Sequence, residues 1–145
     1  MLVTLQAAHG MLQPVIALVL WTFVMWGWMY ATRIPAIVGS KMKMDPNRPR
    51  GEQMNQLPAS VRWKADNYNH LFEMPTLFYA VALALAIAGD ASTLSVGLAW
   101  TYVATRVVHS VWQSTVNVIE VRFAMFSLSS IVLFVLSVRA AVMLF

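Results

Sequence analysis

The segment PVIALVLWTFVMWGWMYAT, residues 14–32, carries no charge and no polar face. A surface helix of a soluble protein needs a polar side opposite its apolar stripe. Extended back to Met11, the uncharged run reaches 22 residues, and a membrane-spanning helix needs about 20. Three further runs are apolar apart from single charges. They are residues 71–89 with Glu73, 94–112 with Arg106, and 123–145 with Arg139. The pattern predicts an all-α integral membrane protein, a four-transmembrane-helix bundle. Its helices are expected at about 11–32, 66–89, 93–117 and 122–145, in a single domain 1–145.

Composition agrees. Of 145 residues, 59% are hydrophobic and 11% charged, against about 45–50% and about 25% in ordinary globular chains. A disordered chain, a disulfide scaffold and a typical cytosolic enzyme are excluded on these values. There is no cysteine, which removes thiolate nucleophiles and cysteine zinc sites. The first run lacks a basic leader and exceeds the length of a signal-peptide core, so it is expected to stay in place.

The net charge of +4 follows topology rather than nucleic acid. Between positions 33 and 66 lie Arg33, Lys41, Lys43, Arg48, Arg50, Arg62 and Lys64, while the N-terminal arm carries neither Lys nor Arg. Positive residues mark the cytoplasmic side. Loop 33–65 is therefore expected in the cytoplasm, both termini outside, and the chain in a bacterial inner membrane or its equivalent. Trp26, Trp28 and Tyr30 precede Arg33 as an interfacial aromatic belt. The stretch 40–60, rich in Pro, Gly, Asn and charge, reads as a linker outside the membrane. Lipid head groups are the expected contact of the basic residues.

Polar side chains inside spans are costly and face the bundle interior or a wet cavity. At 100° per residue, Tyr102, Arg106, His109, Ser110, Gln113, Asn117 and Glu120 share one arc of the third helix. Asp66, Asn69, His70 and Glu73 share one arc of the second. With Arg122 opening the fourth helix, the three faces can meet in one polar cavity at the cytoplasmic end. The same groups can instead be structural, with Glu73 paired to Arg106 or Arg122. No metal-binding spacing and no nucleophile elbow is present. Ala80, Ala84 and Ala88, with Ala82 and Ala86 beside them, offer a small-residue packing face.

Two segments carry a family resemblance: LFEMPTLFYA at 71–80, and TRVVHS at 105–110, whose His109 is followed thirteen residues later by Arg122. With four spans and a long basic first loop, nearly the whole chain resembles a divergent, bacterial-type member of the MAPEG family, the membrane-associated proteins in eicosanoid and glutathione metabolism. The resemblance implies a homotrimer with glutathione bound between subunits near the cytoplasmic face. It implies glutathione contacts at Glu73 and His109, and thiol activation by Arg122. Three positions of the family pattern differ. His70, with Asn69 beside it, stands where the family has Asn. Gln113 stands where it has Tyr, and Asp66 where it has Arg. An arginine forks onto a carboxylate, whereas Asp66 repels one. The further family arginine after the first helix has no clear match; Lys41 and Lys43 lie near its place.

The expected function is binding of glutathione or a related thiol, with transferase or peroxidase chemistry on a lipophilic substrate. Arg122 is the expected catalytic residue, and His70, Glu73, His109, Gln113 and Asn69 the binding residues. Expected partners are membrane lipids, a lipophilic small molecule and two further copies of the chain, with no nucleic acid. The alternative is a non-catalytic accessory membrane protein whose polar network holds helices together.

The orientation is testable in this cysteine-free chain. Cysteines introduced at Ser40 and Ser92 should label from opposite sides of the membrane with an impermeant maleimide. Labelling of both from one side would overturn the predicted topology.

Overall fold

The computed structural model describes residues 2–49, 51–90 and 92–145, with side chains described from His9 onward. Arg50, one of the basic residues counted for topology, lies outside the described residues. The described elements are helices and turns: α1 (Leu2–Gly39), a 3-10 turn (Met54–Gln56), α2 (Ala59–His70), α3 (Met74–Ile87), α4 (Thr93–Thr115) and α5 (Ile119–Leu144). Helices α2 and α3 follow one another as a single interrupted span, so five helices make a four-rod bundle.

The helix expected over 66–89 is thus two segments. Pro75 sits in the first turn of α3, and proline disfavours α conformation in the residue before it and supplies no N–H. The end of α2 tightens instead. The Leu71 amide reaches both Asn67 O and Tyr68 O, and Phe72 and Glu73 bond back three residues to Asn69 O and His70 O.

The ends of the rods differ from expectation for similarly local reasons. α1 runs past Arg33 to Gly39, because a charge marks the membrane boundary and does not stop a helix. Lys41, with φ of 51°, turns the chain out of it. α2 starts at Ala59, seven residues before Asp66. The linker between is folded on itself. Asp45 and Gln53 exchange two hydrogen bonds of 2.9 and 2.8 Å, and Arg48 lies 3.6 Å from Glu52. α5 opens at Ile119, which puts Arg122 inside its first turn.

Met11 and Leu18 of α1, Phe78 and Leu85 of α3, Tyr102 of α4 and Leu136 of α5 form the fully buried core. The outward surface is apolar as well, with Leu20, Phe23, Leu77, Ile87, Ile131 and Phe134 more than half exposed. Such a surface suits lipid rather than water. α1, the α2–α3 rod and α5 are long and apolar enough to cross a membrane. α4, 23 residues long, falls short on composition because its inner face is polar. Of the alanines in α3, Ala82 and Ala86 are buried while Ala80 faces outward.

The turn between α3 and α4 carries an anchor that sequence spacing does not reveal. Gly89 adopts φ of 79°, and the amides of Gly89 and Asp90 return to Ala86 O and Leu85 O, a Schellman end. Asp90, 8% exposed, accepts from the Ser95 hydroxyl and from Ser92 N. Arg139, near the end of α5, donates to Ser95 Oγ at 2.9 Å and Ser92 Oγ at 3.1 Å, and lies 3.7 Å from the Asp90 carboxylate. The turn is thereby tied to α5.

Burial works to raise the Asp90 carboxyl, but the hydrogen bonds from Ser95 and Ser92 and the Arg139 charge outweigh it and hold it below its ordinary value. A carboxylate lowered in the folded state stabilises the fold above its unfolded value. That contribution is lost as pH falls below about 4 and through the folded value. Thermal melts in detergent should show Asp90→Asn flattening the acid side of the stability profile. Arg139→Met should lower stability at neutral pH by about 1–3 kcal/mol.

Candidate functional site

Arg106 is fully buried in the middle of α4. Its guanidinium carbon lies 5.3 Å from the ring centres of both Tyr102 and Phe126, within cation–π range. Its Nε donates to the Tyr102 hydroxyl at 3.1 Å. Tyr102 in turn stacks on Phe78, with ring centres 4.6 Å apart, so α3 holds the phenol and the phenol holds the arginine. Arg106 Nη1 lies 3.4 Å from His70 Nε2. A guanidinium only donates, so Nε2 is the acceptor and the His70 proton sits on Nδ1. That nitrogen donates to Glu73 Oε2 at 2.8 Å. A single file, Tyr102–Arg106–His70–Glu73, therefore crosses from α4 to the interrupted span.

The break after His70 decides where these groups point. His70 is the last residue of α2 and turns inward, while Glu73 lies in the break with its side chain 65% exposed. The ion pair between Glu73 and Arg106 or Arg122 considered from sequence is not formed among the described residues; His70 stands between Glu73 and Arg106.

Beside this file is a cavity of about 320 Å³ lined by His70, His109, Ile119, Arg122, Phe123 and Phe126. The His70 and His109 rings are 5.2 Å apart, and the His70 and Phe126 rings 5.4 Å apart. Arg122 reaches the cavity from α5, its Nη1 bonded to Asn117 Oδ1 at 2.8 Å. The α5 face with Ile119, Arg122, Phe123 and Phe126 thus lines the cavity together with the imidazoles of His70 and His109, so the lining is both basic and apolar. Ile119 and Phe123 are both 71% exposed, so the cavity is open to the outside of the bundle along these apolar side chains.

Among the residues expected from sequence, His70, His109 and Arg122 line the cavity, and Glu73 is joined to it through His70. Asn69 and Asp66 face outward. Gln113 is buried but does not line the cavity, and its Oε1 has no partner among the described residues. The stripe on α4 ends sooner than a continued helix implies. Tyr102, Arg106, His109, Ser110 and Gln113 are buried, Asn117 lies in the turn after the helix, and Glu120 is exposed on α5. The stripe is covered within one chain, so its burial does not require a neighbour.

Sequence reasoning missed Asn67, Phe126 and the bond from Asn117 to Arg122. Asn67 is fully buried on α2. The signal for it is Trp63, Asn67 and His70 at i, i+4 and i+7, a face hidden when the helix is assumed to run on to Glu73.

Tyr102→Phe should leave the packing intact and strand a donor of a buried cation. The expected loss is about 1–3 kcal/mol in a detergent melt; an unchanged melting temperature would count against the phenol as a support of Arg106.

Neither a search of curated proteins nor a search of solved structures returned a match. The model of the MAPEG family matches residues 11–142, which takes in all four rods and the cavity. That span and the apolar exterior of the bundle agree, and the chain belongs to the MAPEG family of integral membrane proteins.

Proposed function

We propose that the cavity between α2, α4 and α5 binds glutathione or a related anionic thiol and that Arg122 activates it for transfer to a lipophilic electrophile or for peroxide reduction. The observation that carries this reading is one cavity lined both by Arg122, His70 and His109 and by Ile119, Phe123 and Phe126. Its volume of about 320 Å³ falls within the range of small-molecule sites, about 300–1,000 Å³.

The chemistry follows from charge. A guanidinium beside a thiol favours the thiolate and lowers its pKa. His70 and His109 orient the peptide, and Glu73 fixes the His70 ring through Nδ1. The lipophilic partner enters past Ile119 and Phe123 without crossing water. Asp66, the reversed charge, is exposed and absent from the cavity lining, so within one chain it does not face the bound thiol. Self-association as a trimer belongs to the same proposal. Asp66 and Asn69 on α2 and Glu73 in the break after it are exposed polar groups of the α2–α3 rod, and polar groups in a span are expected to face protein rather than lipid.

The competing reading, a non-catalytic membrane protein, is favoured by the Tyr102–Arg106–His70–Glu73 file, which is a packing network whether or not a ligand binds. Two substitutions separate the readings. Arg122→Lys keeps a charge without the planar fork; Arg122→Met keeps much of the stem without the charge. For a thiolate site, Lys retains part of the glutathione-conjugating activity. Met loses about 2.7–4 kcal/mol of transition-state stabilisation and the rise in melting temperature that millimolar glutathione gives a binder. Unchanged activity with a lowered melting temperature in Arg122→Met would reject the catalytic role.

A further inference from the structure

Asn117 occupies an unusual place for its chemistry. It follows the end of α4 with φ of 58°, a left-handed conformation shared among non-glycine described residues only by Lys41. Its amide donates to Trp112 O at 2.9 Å, the carbonyl that the Val116 amide also reaches. The backbone thus turns from α4 into α5 in three residues, with Val116, Asn117 and Val118 as the link. The turn needs a residue that tolerates positive φ, and glycine does so best. An asparagine there supplies something glycine lacks, a side-chain amide.

That amide is in use. Asn117 Oδ1 accepts from Arg122 Nη1 at 2.8 Å. Arg122 has no carboxylate partner among the described residues, and its buried Nε has no partner either. The bond to Asn117 is therefore the one described polar contact that fixes the guanidinium. It crosses from the end of α4 to the first turn of α5 and is independent of the His70–Arg106 file. A neutral amide oxygen orients the guanidinium without cancelling its charge, as a carboxylate would.

We propose that Asn117 is a positioning residue. Its side-chain amide aims the Arg122 guanidinium into the cavity while leaving its charge free for an anion, and its left-handed backbone is the geometric means of doing so. This rests on the thiol-binding reading for its catalytic consequence, but the positioning itself does not.

Asn117→Gly separates the roles, because glycine keeps the turn and removes the amide. The expected result is a melting temperature unchanged or raised. The expected kcat for glutathione conjugation falls about ten- to a hundredfold, the size of one charge-assisted hydrogen bond. KM for glutathione should move far less, and the ionisation midpoint of the bound thiol, followed by thiolate absorbance, should rise. Asn117→Ala, which loses the amide and fits positive φ poorly, should show the same activity loss with a lower melting temperature. Full activity and an unshifted thiol midpoint in Asn117→Gly, with a wild-type protein that turns glutathione over, would overturn the proposal. If the wild-type protein neither binds nor turns over glutathione, the thiol reading fails by itself. The positioning is then read from 15N relaxation of the Arg122 guanidinium. Lower order in Asn117→Gly than in wild type supports it, and equal order overturns it.

Discussion

A fully buried arginine without a carboxylate beside it is the constraint around which this bundle is organised. Removing a cation from water costs several kcal/mol even after relaxation, and the apolar surroundings of a membrane protein offer little to offset it. Arg106 offsets part of that cost with two ring faces, a phenol and an imidazole, contributed by α4, α5 and α2, while its Nη2 has no partner among the described residues. Each of those partners is itself positioned. Phe78 of α3 stacks on Tyr102, and Glu73 holds the proton-bearing nitrogen of His70. Every rod except α1 thus supplies a group to one charge.

The same arrangement makes the cavity. Pro75 interrupts the second span, His70 becomes a helix terminus, and its ring swings toward α4 rather than continuing along the rod. The volume left between that terminus, His109 and the first turn of α5 is lined by the two imidazoles, Arg122, Phe123 and Phe126. At the opposite end of α4 the Asp90, Ser92, Ser95 and Arg139 cluster ties the α3–α4 turn to α5. α4 and α5 are therefore fixed to one another by polar contacts at both ends and by apolar packing between. A site built from residues of both helices is held by that pair.

Membership of the MAPEG family gives the fold its context, and the departures from the family pattern acquire positions. Asp66 and Asn69 face outward, Gln113 is buried away from the cavity lining, and His70 takes part in the central file. A substitution that reads as loss of a ligand on a sequence pattern can thus be neutral to the cavity, or can supply a different contact.

What the sequence determined by itself was the solvent and the rods. Uncharged runs such as residues 14–32 leave a helix no polar face, so membrane and helicity follow from composition and length. The 3.6-residue period also brought Tyr102, Arg106, His109, Ser110 and Gln113 to one face, because α4 is regular throughout. What only the tertiary structure decided lies where regularity fails. The arc that joined Asp66, Asn69, His70 and Glu73 assumed one continuous helix, and Pro75 broke it, exposing Glu73 and hiding Asn67. Glu120 left the α4 stripe because the chain turns at Asn117. Asp90 and Arg139 are 49 residues apart in sequence and meet because α5 folds back along α4. Periodicity assigns faces within one helix; which faces meet is set by turns, breaks and the need of a buried charge for partners.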